Sequence, residues 1–157
     1  MISDYPSPEL LKNIERNATK NIAGGLKSTY RVAGHEWGVL DSEFAQKYKH
    51  YFTRILAADC YWMPWVHTSL ARSMLHLLAP DGTIYMTAGF HTGRAKLAGF
   101  FDVAVEEGLV VEEIYEEDNL GTRREWVKER DGGVEDRGER RKWLVVARLK
   151  RRQSGQP

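Results

Sequence analysis

The 157 residues, 42% hydrophobic and 29% charged, have a globular balance whose length sets one domain as the ceiling, and 23 Lys and Arg against 22 Asp and Glu leave a formal charge of +1 that gives no electrostatic case for nucleic acid. A single cysteine, Cys60, excludes an internal disulfide framework and a zinc site built from several thiolates, and fits a reducing compartment such as the cytoplasm. No apolar run approaches the roughly 20 residues needed to cross a bilayer, and the opening MISDYPSPEL lacks the basic and apolar stretches of a secretion signal, so the expectation is a soluble, cytoplasmic protein without a membrane partner.

Asp4-Tyr5-Pro6-Ser7-Pro8 has turn chemistry, and Ser7-Pro8-Glu9 supplies an N-cap, a proline for the first helical position and an early acidic residue. Leu10, Leu11, Ile14 and Ala18 then recur near the 3.6 period, which predicts an amphipathic helix over 8–20 that ends within 21–25. Tyr30 and Val32 suggest a strand over 28–34 running into Gly34-His35-Glu36-Trp37-Gly38, whose glycines permit a sharp path presenting His35 and Trp37. The apolar run 52–58 reads as a strand buried on both faces. A helix over 66–78 follows, with Leu70, Met74, Leu75 and Leu78 on one side and Arg72 and His76 available to water. Pro80-Asp81-Gly82 reads as a turn before a buried strand over 83–88, and strand, helix and strand at this spacing form a parallel β-α-β unit with a right-handed crossover.

Residues 89–93 form another loop, and Ala95 to Val105 fill a helix ending near Gly108. Strands are predicted over 110–115 and 142–149, joined by a polar connection over 119–141 that suits a long hairpin better than a crossover helix. The sheet is therefore expected to be mostly parallel with an antiparallel last strand. Acidic residues dominate 106–118 and basic residues flank the last strand, so adjacent strands should set opposite charges across from one another; a basic tail gripping RNA or another acidic partner is the alternative use.

Ligands of open α/β sheets occupy the crevice beyond the carboxyl ends of the strands. Four segments fall there: Asp4-Tyr5-Pro6, His35-Glu36-Trp37-Gly38, Ala58-Asp59-Cys60-Tyr61-Trp62 and Gly89-Phe90-His91-Thr92-Gly93-Arg94. A carboxylate such as Asp4 can accept hydrogen bonds from hydroxyls, Trp37 can wall a heteroaromatic ring, and Asp59 can sit beside a cationic or amine-bearing group. Taken singly, an aspartate at a strand end more often makes a turn and a tryptophan more often fills a core. His35, His67, His91 and Asp59 match no compact metal-ligand spacing, and Cys60 beside a buried strand reads as packing rather than as a nucleophile. Neither a nucleophile elbow nor a phosphate-binding glycine loop is present in the sequence.

The same segments carry a resemblance to the later part of the seven-strand S-adenosylmethionine-dependent methyltransferases, in particular the protein lysine methyltransferases and the fungal nicotinamide N-methyltransferase-like proteins. SDYPSPELLKNIERNATKN resembles the end of that family's second strand with its helix, GHEWG the end of the third, and ILAADCYWMPWVHTSLARSMLHLLAPDGTIYMTAGFHTGR the fourth strand through the loop after the fifth. The last hairpin is similar to the sixth and seventh strands. The resemblance implies an α/β, Rossmann-like methyltransferase fold that lacks the family's first strand and most of its second. Residues 1–152 would form this partial domain and 153–157 a disordered tail.

By position, the resemblance implies S-adenosyl-L-methionine as cofactor, with Asp4 on the ribose hydroxyls, Trp37 beside adenine and the Ala58 backbone along the cofactor. Asp59, Tyr61 and Trp62 would be the catalytic set, in a segment where many relatives carry tyrosine at the position of Trp62. His91 and Arg94 would shape the pocket, with a solvated helix position as the other reading of Arg94. The activity implied is N-methylation of a protein lysine or other amine; a small heteroaromatic amine is the runner-up substrate. The family's glycine-rich loop would precede Asp4, and without it the expectation is a shortened chain with unpaired sheet edges open to self-association. A non-catalytic, partner-binding methyltransferase-like module is then the competing reading.

Overall fold

In the computed structural model, which describes residues 1–22 and 30–153, seven strands and five α-helices alternate among the described residues. β1 (Ile2–Asp4) turns into α1 (Pro8–Asn21). The Ser7 hydroxyl caps the helix, accepting from the Leu10 amide at 3.5 Å and donating to Glu9 at 3.0 Å, while Pro8 occupies the first turn without needing a hydrogen-bond partner for its nitrogen. Ala18 is buried and Leu10, Leu11 and Ile14 are half-buried, which is the predicted stripe. The predicted end of this helix and the first two residues of the 28–34 strand lie partly outside the described residues. Within them, β2 (Val32–Gly34) runs parallel to β1, pairing Ile2 with Val32 and Asp4 with Gly34. A Cβ on Gly34 would stand 2.7 Å from Pro6 Cβ, so glycine is what lets the two strand ends close together.

α2 (Glu43–Lys47), capped by the Ser42 hydroxyl, was not predicted, because five residues are too few to show a helical period. β3 (Phe52–Ala58), α3 (His67–Leu77) and β4 (Leu78–Gly89) form the expected parallel β-α-β unit, with a 3₁₀ turn at Pro64–Val66 leading into α3. Two details differ from the sequence reading. β3 is not buried on both faces: among its residues only Ala57 is buried and Leu56 is 81% exposed, since the strand is the edge of its sheet and is covered on one face. Pro80-Asp81-Gly82 does not separate helix from strand but lies inside β4, as an irregularity where pairing jumps from Phe52 with Leu78 to Arg54 with Thr83.

α4 (Arg94–Glu106) ends at Gly108, whose φ of +104° reverses the chain into β5 (Leu109–Asp118). The polar connection contains β6 (Arg123–Glu125) and the single turn α5 (Arg137–Arg140) before β7 (Trp143–Arg151). β7 inserts antiparallel between β4 and β5, giving the sheet order β3-β4-β7-β5-β6, while β1 and β2 make a separate pair. The antiparallel last strand is thus as predicted, and so are its charge pairs: Arg148 meets Glu112 at 3.2 Å and Lys150 meets Glu112 at 2.9 Å. These partly exposed pairs set register more than stability. The core fills the space between the five-stranded sheet and helices α3 and α4, with Ile84, Leu97, Phe100, Val145 and Leu149 fully buried.

A cavity of about 460 Å³ lies between the two sheets, lined by Met1 with Ile2 and Ser3 of β1, by Phe52, Arg54, Ile55 and Leu56 of β3, and by Phe44 and Leu77. The Ile2 amide donates to Arg31 and the Asp59 amide to Thr87, so by the parity of a strand the Ser3, Arg54 and Leu56 amides turn toward the gap. No described helix is long and apolar enough to cross a membrane.

Candidate functional site

The segments that follow β1 and β2 share one cavity with Met63, Val66 and Ser69 from the stretch after β3. Asp4 ends β1, where its Oδ1 accepts from the Tyr5 amide at 2.7 Å and fixes the carboxylate at the mouth. Trp37 arrives from the loop after β2. That loop is held by Ser73 of α3, whose hydroxyl shares a 3.0 Å hydrogen bond with His35 Nε2 and accepts from the Gly38 amide at 2.8 Å. Gly38 has φ of +90° and would place a Cβ 2.9 Å from the Ser69 hydroxyl, so no other residue fits there without strain. His35 is buried against Phe44 at a ring separation of 5.1 Å. Burial, with the charge of His76 adding to it, lowers its pKa and favours the neutral ring. Asp4 and Trp37 thereby line the same cavity of about 390 Å³, together with Glu36, Met63, Val66 and Ser69.

A second pair joins the segments that follow β3 and β4. His91 Nε2 donates to both Asp59 oxygens, at 3.0 and 3.2 Å, with each side chain about half exposed. An ionised carboxylate only accepts, so this bond fixes which ring nitrogen carries the proton. Asp59 has φ of +55°, a left-handed conformation that aspartate tolerates better than most side chains and that lifts its carboxylate away from the strand axis. A Cβ on Gly89 would come within 2.6 Å of His91 Cε1, so the bare Gly89 backbone is the floor on which the imidazole lies. Cys60 sits between the two aspartates; burial, then Asp4 and Asp59, push its thiol up to about 11, which keeps it protonated and unreactive at neutral pH. Its Sγ donates to the Ala58 carbonyl at 3.2 Å.

The structure therefore brings together Asp4 and Trp37 around one cavity and pairs Asp59 with His91; Ala58 lines a different cavity, of about 410 Å³, with Leu56, Thr87 and Tyr115. Trp62 stands at the surface, 37% exposed, with Trp65 nearby in sequence and more open still. Tyr61 goes the other way. Its ring is fully buried against Phe100 and Phe101 at 5.1 and 5.8 Å, its hydroxyl has no hydrogen-bond partner among the described residues, and burial raises its phenol. Arg94 is not a solvated helix residue: it is 5% exposed and paired with Glu116 and Glu135. The three histidines of the crevice region have separate partners, Ser73 for His35, the Tyr61 carbonyl for His67 and Asp59 for His91. Sequence reasoning missed Ser73 and Gly89. Ser73 had a signal, as a hydroxyl inside the apolar stripe of α3; Gly89 had none beyond ending a strand.

No protein-family model matches the chain. Among curated proteins it is 29% identical over 121 residues to the protein N-terminal and lysine N-methyltransferase EFM7 of Candida glabrata, covering 73% of this chain and 46% of that protein. It is also 29% identical over 125 residues to the protein of the same description from Schizosaccharomyces pombe, covering 73% and 48%. The chain spans about half the length of the curated relatives it matches. Among solved structures, a TehB-like SAM-dependent methyltransferase from Corynebacterium glutamicum superposes with a TM-score of 0.60 at 17% identity, over 96% of this chain and 66% of the other. Geranyl diphosphate methyltransferase in complex with SAM superposes with a TM-score of 0.58 at 12% identity, over 94% and 66%. The fold is the Rossmann-like fold of the S-adenosylmethionine-dependent methyltransferases.

Proposed function

We propose that this chain forms the cofactor and substrate crevice of an S-adenosyl-L-methionine-dependent N-methyltransferase acting on a protein amine. One observation carries the reading: Asp4 and Trp37, 33 positions apart in sequence, line a single cavity. The donor set suits the adenosine end of the cofactor, because Asp4 can accept from ribose hydroxyls while Trp37, Met63 and Val66 offer apolar surface to a flat heterocycle. The lining carries Asp4 and Glu36 and no Lys or Arg, a balance that favours a cationic sulfonium.

When bound, S-adenosyl-L-methionine supplies an electrophilic methyl group on a sulfonium. The chain's own contribution is placement. Ala58 presents backbone along the cofactor. Asp59, oriented by the Nε2–H of His91, accepts a hydrogen bond from the amine and opposes the positive charge that grows on nitrogen as the methyl carbon is bonded. The amine attacks only through its unprotonated lone pair, so the carboxylate must orient the nitrogen without holding it as an ion. Trp62 gives a wall that tolerates cations, and Tyr61, from within the core, holds the Asp59-to-Trp62 segment from behind. A protein amine is preferred to a small amine because both curated relatives are described as protein N-terminal and lysine methyltransferases.

Calorimetric titration of the 157-residue chain with S-adenosyl-L-methionine tests this. Saturable binding that weakens on the order of tenfold in Asp4→Ala supports it, as loss of a charge-assisted hydrogen bond demands; no saturable binding by a folded chain overturns it. Mass spectrometry of peptides bearing an α-amine or a lysine, against a small heteroaromatic amine, then separates the substrate classes. A second reading, a non-catalytic module that associates through sheet edges, rests on the cavity between β1 and β3. It is favoured if the folded chain ignores the cofactor and its sedimentation depends on concentration.

A further inference from the structure

His91 lies in a tight turn that begins at Phe90 and closes where the Gly93 amide donates to the Phe90 carbonyl at 3.1 Å. Both ends of that turn are held by one side chain. Arg94, the residue after Gly93, folds its guanidinium back over the Phe90 ring at 4.2 Å, while Phe90 stacks on Trp126 at 6.0 Å and an interplanar angle of 12°. The guanidinium donates to Glu116 of β5 at 2.5 and 3.1 Å, to Glu135 at 2.7 and 3.0 Å, and to the Val127 carbonyl at 3.0 Å. Arg94, Glu116 and Glu135 are each at least nine-tenths buried at the side chain. Burial alone would raise the Glu116 carboxyl, but hydrogen bonds and charge from Arg94 and Arg124 outweigh it and hold the group ionised.

Trp126, Val127 and Glu135 all belong to the connection between β6 and β7, far in sequence from the crevice. A buried, doubly bidentate guanidinium has little freedom to shift, and what it holds moves with it. We propose that Arg94 is the positioning residue of His91, and that Glu135 and Trp126 set its grip, so that the β6–β7 connection fixes the orientation of the Asp59 carboxylate from behind. The proposal deepens the reading of Asp59 as the carboxylate facing the amine, and rests on that reading for its consequence in turnover.

The test is read on the histidine side chains by nitrogen-15 and carbon-13 NMR of the full chain without cofactor, so failure to bind S-adenosyl-L-methionine leaves it standing. Asp59→Asn defines the His91 ring resonances once its carboxylate partner is gone. Glu135→Gln, which keeps a hydrogen-bonding side chain, and Trp126→Leu, which changes no charge, should both move the His91 resonances toward the Asp59→Asn position. The buried His35 and His67 rings should stay in place and report that the fold is intact. Glu135→Asp should restore part of the shift. In a loaded, active enzyme, Glu135→Gln should lower kcat on the order of tenfold with the cofactor KM unchanged, and add nothing in an Asp59→Asn background. If His91 keeps its wild-type resonances in both Glu135→Gln and Trp126→Leu, the proposal is wrong. Should Trp126→Leu alone lose the His35 and His67 signals, Glu135→Gln decides it.

Discussion

The five-stranded half and the two-stranded half divide the labour of this molecule unequally. Between β3 and β7 the sheet and two helices bury Leu78, Ile84, Leu97, Phe100, Leu109, Val145 and Leu149 completely. From β1 through β2, where each strand has three residues, Ala18, still 7% exposed, is the only buried hydrophobic residue among those described. Yet the crevice draws on both: Asp4 and Trp37 from the thin half, Asp59, Trp62 and His91 from the thick one. The joints between them include the packing of Trp37 on the main core and a few hydrogen bonds, of Ser73 with His35 and Gly38, and of His76 with the Ala45 carbonyl at 2.9 Å. Stability is thus concentrated on the substrate side, whereas the residues proposed for the cofactor ride on a small sheet tied across by a handful of hydrogen bonds.

The contrast can be broken most forcefully from the thick half. Phe100→Ala should cost about 3–5 kcal/mol by opening a cavity among Tyr61, His67 and Phe101, read as the midpoint and slope of urea unfolding. Glu116→Ala should cost about as much, since it strips Arg94 of one buried partner and leaves the charge poorly compensated. Ser73→Ala should remove about 1–3 kcal/mol, because it orphans buried His35 Nε2; its more telling effect would be weaker cofactor binding in calorimetry with the five-stranded half intact. Leu11→Ala, in the half-buried face of α1, should cost under about 1.5 kcal/mol in the same unfolding experiment; a loss near that of Phe100→Ala would show that the halves are equally cored.

Acid should take the two halves apart in order. His35 has a folded pKa lowered chiefly by burial, so its unfolded form binds a proton first. The stability it gives is present above about 6.5 and falls as pH drops through that value toward its folded pKa. Glu116, also lowered, protects the Arg94 cluster above about 4.5 and releases it only as pH falls further, through its own folded value. Backbone NMR at stepwise lower pH should therefore lose the His35–Ser73 joint before the β5–β7 pairing. Simultaneous loss would mean that the halves unfold as one.

What could be read from sequence followed the same division. The β-α-β unit, the capped α1 and the antiparallel last strand were visible because their periodicity and turn chemistry are local. The apolar run of β3 was misread, since Leu56 and Ile55 look alike in sequence and only the neighbouring layer decides which of them is covered. The segment 58–62 announced a strand end but not its geometry: a left-handed Asp59 sends Tyr61 into the core and leaves Trp62 outside, which the order Cys-Tyr-Trp does not reveal. Arg94 was ambiguous because its partners, Glu116 and Glu135, lie 22 and 41 residues away. A buried ion pair leaves no pattern along the chain.

The gap between β1 and β3 also makes the molecule its own gauge. Amide protons in a paired ladder exchange with solvent only when the ladder opens, whereas those of Ser3, Arg54 and Leu56, turned into the cavity, have no such shelter. Their deuterium uptake should be fast beside that of Ala57 or Ile84. Anything that fills the gap with backbone of its own, from another copy or another polypeptide, would slow these three amides together. A cofactor in the neighbouring crevice would leave them fast.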